Sequence, residues 1–216
     1  MEIVSLFRWL LAEDFSCKGI RNKLCIGHKR NEIFLSNFIT CAFASIVLTA
    51  VWLLTSALLF GMIGPLEIEM EVSEFVGCIF VAVGFTVSFA ALYTVIGSLS
   101  SNKAMTIIYT FAVFIILAMA ASALDDRLCE PEINEIMTYN NYGAVVMQES
   151  APNPLYLSGM IRTVCEVALE LLPNGQALLL SNVAIECPVR AIAMSAVFTI
   201  VTLLVGGMLF KKKDIK

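Results

Sequence analysis

Four long stretches of the chain carry no Asp, Glu, Lys, Arg or His. They run from Phe34 to Phe60, Phe75 to Ile96, Ala104 to Leu124 and Ala191 to Phe210. A helix needs about 20 apolar residues to cross the ~30 Å hydrocarbon layer of a bilayer. A charge at the centre of such a helix costs about 2.5–3.5 kcal/mol. The pattern predicts an all-α, polytopic membrane protein with four spanning helices, at 34–60, 75–96, 104–124 and 191–210. Residues 125–188 then form one long outer loop, and residues 1–32 precede the first span.

The two non-spanning parts have patterns of their own. Polar and turn-forming residues fill the first half of the long loop, including Pro131, Asn140, Asn141, Gly143, Pro152 and Pro154. This half reads as irregular. Further on, Ile161, Val164, Cys165, Ala168, Leu171 and Leu172 recur at spacings of three and four, and Arg162, Glu166 and Glu170 recur at four. That is an amphipathic helix, which the sequence Pro173-Asn174-Gly175 is expected to break. A second apolar piece, Gln176 to Ile185, is too short to span. The pair fits a helical hairpin resting at the interface, a re-entrant segment shielded by protein, or a soluble cap. Before the first span, Ile20 and Leu24 share one face of about two helical turns, with Arg21 and Lys23 toward water. Gly27 suits a left-handed C-cap. The segment reads equally as a short surface helix or as a basic juxtamembrane loop.

Charge gives the orientation. Of the 14 Lys and Arg, all but Arg127, Arg162 and Arg190 fall on one side of the alternating topology, the side of both termini. The positive-inside rule places that side in the cytosol. Acids gather opposite, from Glu67, Glu69, Glu71 and Glu74 through Asp125 and Asp126 to Glu186, so the net charge of −4 conceals a basic inner face and an acidic outer one. Topology accounts for the basic residues, and no nucleic-acid partner is expected. At 59% hydrophobic and 15% charged, the composition agrees with a lipid-embedded chain. Met1 to Leu11 is interrupted by Arg8 and lacks a small-residue cleavage site, so it reads as mature chain, not as a secretory signal.

Several chemistries lack their residues. There is no P-loop sequence for nucleotide, and His28 is the one histidine. No catalytic residue, cofactor site or metal site is expected, and the absence of ionisable groups within the spans argues against a membrane enzyme. Of the seven cysteines, Cys17 and Cys25 belong to the cytosolic side, and Cys41 and Cys78 to the spans. Cys129, Cys165 and Cys187 lie outside. A Cys129–Cys187 disulfide would close the long loop, although three candidates leave the pairing open. The hydroxyl residues of the spans suit helix packing, as do the small-xxx-small pairs Gly84/Ser88 and Ala118/Ser122.

The run from Lys18 to Ser36, KGIRNKLCIGHKRNEIFLS, resembles the cytosolic coupling segment of type-2 ABC transporter permeases. Ser158-Gly159, the later Leu172-Pro173-Asn174-Gly175-Gln176-Ala177 and the terminal Phe210-Lys211-Lys212-Lys213-Asp214-Ile215 are similar to that family in the same order. The resemblance implies a plasma-membrane permease subunit of an ATP-driven transporter, usually an exporter. It implies two partners, a separate ABC ATPase subunit that binds the ATP and a second permease copy or homologue. Ile20, Arg21, Asn22, Lys23, Leu24 and Gly27 would form the coupling helix on the ATPase. The family typically has two helices before this segment. Here only Met1 to Leu11 precedes it, so the chain resembles the last four helices of a six-helix plan. A non-transporting four-helix accessory or immunity protein is the alternative reading.

Overall fold

The structure, a computed structural model, describes residues 27, 29–63, 71–100, 102–139, 145–182, 185 and 187–213. Residues 20–24 of the predicted coupling helix lie outside the described residues. Six helices and one β-hairpin make up the described chain: α1 (Arg30–Ile63), α2 (Val72–Leu99), α3 (Lys103–Leu128), β1 (Ile133–Tyr139), β2 (Val145–Pro152), α4 (Gly159–Leu171), α5 (Pro173–Ser181) and α6 (Pro188–Lys212). Helices α1, α2, α3 and α6 are long and apolar enough to cross a membrane, so the chain is a membrane protein. Each extends past the uncharged run that predicted it. At 34 residues, α1 is about 51 Å long, which carries its ends beyond the hydrocarbon layer.

The bundle is organised around α2, which packs most extensively on α6 and next on α1. Small residues make this possible. A Cβ on Gly77 would meet Pro188, one on Gly84 would meet Ser195, and one on Gly206 would fall 2.2 Å from Val95 Cγ2. Ser88 also hydrogen-bonds Thr199, 111 residues along the chain. All four contacts share that offset, so α2 and α6 run parallel and in register. Without a hydrophobic drive between helices in lipid, such close approach is what dispersion and hydrogen bonding need. Helix α1 runs antiparallel to α2. Cys41 and Ala42 pack with Ala90, and Thr49 donates to Thr86 at 3.3 Å. Helix α3 meets α2 mainly through aromatic rings, with Phe114 6.0 Å from Phe89, itself stacked on Tyr93 at 5.7 Å.

This alternation brings Arg30, Ser98, Lys103 and Lys212 to one end of the bundle and Glu71, Asp125, Glu130 and Arg190 to the other. The first is called the basic end below, the second the acidic end.

Two expectations for the long loop need correction. Its first half is not irregular: β1 and β2 pair antiparallel, from Ile133 opposite Pro152 to Tyr139 opposite Val145. The buried Asn153 closes the hairpin's base, donating to Glu130 Oε2 at 2.8 Å and to Pro131 O at 2.9 Å. The helix does break at this point, but Pro173, Asn174 and Gly175 are not the gap; they form the first turn of α5. A proline costs nothing at the first helical position, where the missing N–H has no partner anyway. One extended residue, Leu172, separates α4 from α5. Gly175 makes so tight a turn possible, since a Cβ there would lie 2.0 Å from Leu169 O.

Candidate functional site

Of the residues expected to meet an ATPase, Gly27 is described. Its φ of +102° belongs to the region that favours glycine, and it is exposed. Three residues later α1 begins. Glu32 Oε2 accepts from the Lys29 backbone N–H at 3.2 Å, and Glu32 N–H donates to Lys29 O at 3.0 Å. This fixes the entry angle of the helix, as the glutamate of a capping box does.

Arg30, the first residue of α1, reaches across to the last turn of α6. Its Nη1 donates to Lys211 O at 2.9 Å and to Lys213 O at 2.6 Å. Lys213 in turn extends to the end of α2, where its Nζ donates to Ser98 O at 3.0 Å and Ser100 O at 2.9 Å. The last carbonyls of any helix lack intrahelical donors, and they form the negative end of its dipole. Here one guanidinium caps α6 and one ammonium caps α2. Beneath them Phe34 and Phe210 stack at 6.0 Å, with Gly206 against Phe34 and Val95. The result is a clasp that joins three helix ends, starting three residues after Gly27. The capping role of Lys213 depends on carbonyls more than 110 residues away in the chain.

A second polar cluster lies toward the acidic end. Gln176, in the first turn of α5, is 1% exposed. Its Nε2 donates to Glu170 O at 2.7 Å and Ala191 O at 3.0 Å, and its Oε1 accepts from Ser195 Oγ at 2.5 Å. Ser195 O accepts in turn from Ser88 Oγ at 3.1 Å, and Ser88 also meets Thr199. One glutamine side chain thus ties the end of α4 to α6, and through Ser195 to α2. The Glu170–Arg190 ion pair at 2.6 Å closes the same junction from outside. A lone glutamine in an apolar run was the available signal, because a buried amide needs partners.

Other hydroxyls in the spans do less. Thr40, Ser45, Thr55 and Thr94 donate to the carbonyl four residues back in their own helix, which satisfies them without a neighbour. Gly84 and Ser88 do face α6, whereas Ser122 is exposed and Ala118 half-buried. Cys129 and Cys187 are separate, exposed free thiols, and no disulfide joins them. Among the described residues no group of three His, Cys, Asp or Glu is placed to hold a metal ion. No protein-family model, curated protein or solved structure matches the chain.

Proposed function

We propose that the chain is a permease subunit of an ATP-binding cassette transporter, acting in export with a separate ATPase subunit and a second permease copy or homologue. Residues 20–27 would dock on the ATPase. Both ends of the chain would lie in the cytosol, because the basic end of the bundle is the inner end under the positive-inside rule. The observation that carries the reading is the clasp. A push on the segment before Gly27 reaches Arg30 within three residues, and Arg30 holds α6, whose Lys213 holds α2. Displacement of one short segment would therefore move three spanning helices together, as a mechanically driven permease requires. The chain's own part is binding and transmission; ATP is bound and hydrolysed on the partner.

Purification from native membranes in mild detergent tests this. An ATPase subunit should copurify in stoichiometric amount, and Arg21→Glu with Leu24→Asp should release it while the chain still reaches the membrane. A chain that brings down no ATPase overturns the proposal in favour of a four-helix accessory protein, and one that keeps it despite both substitutions overturns the docking of residues 20–27.

A further inference from the structure

Helix α4 inverts the usual arrangement of a water-facing amphipathic helix. Its charged residues turn toward the protein. Arg162 pairs with Glu166 at 3.1 Å, lies over the Tyr156 ring at 5.4 Å and donates to Leu128 O at 3.3 Å. Glu170 holds Arg190. The side chains of Arg162, Glu166 and Glu170 are 33%, 43% and 22% exposed, whereas Met160, Ile161 and Val164 are 84%, 64% and 61% exposed. The apolar face is the outer face.

The anchors also fix how α4 lies. Arg162 is held at the C-terminus of α3 and Glu170 at the N-terminus of α6. Those two points belong to the same end of the bundle. The eight residues between them cover about 12 Å, so α4 crosses that end from one span to the other and does not continue along the bundle axis. We infer that α4 is a lipid-contacting helix lying in the plane of the bilayer, with Met160, Ile161 and Val164 among the acyl chains just below the head groups on the acidic side.

The spanning helices place the bilayer boundary where α3 ends and α6 begins, which is the level of α4. Val189, next to the Arg190 that holds Glu170, is 75% exposed. At this level α6 therefore also presents an apolar side chain outward. An amphipathic helix with this geometry binds by immersing its apolar face at the interface. Its short partner α5 has the opposite environment, with Pro173, Gly175 and Gln176 buried against protein.

The test uses the full chain in phospholipid vesicles, with native cysteines changed to serine and single cysteines introduced as Met160→Cys, Val164→Cys or Glu132→Cys. Each carries an environment-sensitive fluorophore. Labels at 160 and 164 should be quenched strongly by shallow doxyl lipids, less by deep ones and weakly by aqueous iodide, with the order reversed at 132. Iodide quenching at 160 and 164 equal to that at 132 would overturn the inference. In the otherwise unaltered chain, a photoreactive phenylalanine at position 160 gives a second readout. Adducts with lipid are expected; adducts only with another copy of the chain would show a protein interface instead and equally refute lipid contact.

Discussion

The α2–α6 pair and α3 are similarly apolar, yet they are held in quite different ways. Between α2 and α6 the contacts are glycine, serine and threonine, with the Ser88 hydroxyl shared between Thr199 and the Ser195 carbonyl. Helix α3 buries fully just Ala121 among its described side chains. It is retained by aromatic edges on α2 and by α4 and α5 at one end. Greasiness takes a helix into the bilayer but does not choose its neighbour, because lipid tails satisfy a leucine as well as another helix does. Small and hydrogen-bonding residues make that choice.

This contrast can be broken most severely at Gly175. A Gly175→Ala methyl collides with the Leu169 carbonyl, which backbone geometry cannot move aside. It should cost about 3 kcal/mol of stability, read as a fall in the detergent unfolding midpoint. Gln176→Leu keeps the volume but leaves two carbonyls and the Ser195 hydroxyl without their partner. Hydrogen bonds inside membrane proteins average about 0.6 kcal/mol each, so a loss of about 2 kcal/mol is expected by the same measurement. Arg30→Ala should cost about 1 kcal/mol, an effect reduced by added salt because the clasp is partly exposed. Ile116→Ala, on the lipid-facing side of α3, should change stability by less than about 0.5 kcal/mol. If it costs as much as Gln176→Leu, the contrast between the two regions fails.

The sequence made the four spans legible because charge-free runs of that length have few other uses. The amphipathic pattern of α4 was legible too, since its period survives whichever face turns outward. Which face does so was not, because that depends on Leu128, Tyr156 and Arg190. The hairpin escaped notice because Ile133-Asn134-Glu135-Ile136-Met137 does not alternate and no two-residue turn signature joins the strands. The break at Pro173 was legible, but its narrowness was not, because a proline that lies between two helices and one that starts the next look alike locally. The clasp acts through residues more than 110 apart in the chain, and no local pattern encodes it, whereas Gln176 finds its partners within 19 residues and was marked only by its polarity.

The parallel register of α2 and α6 bears on how the protein is made. Ser88 meets its partner at position 199, so α2 enters the membrane well before the helix it fits has been synthesised. At ribosomal speeds of about 5–20 residues per second, that interval is on the order of ten seconds. Throughout it, the serine and glycine face of α2 has no permanent cover. Until α6 emerges, the Ser88 hydroxyl still has the Gly84 carbonyl of its own helix to bond, so α2 can wait in lipid without an unsatisfied polar group at that position.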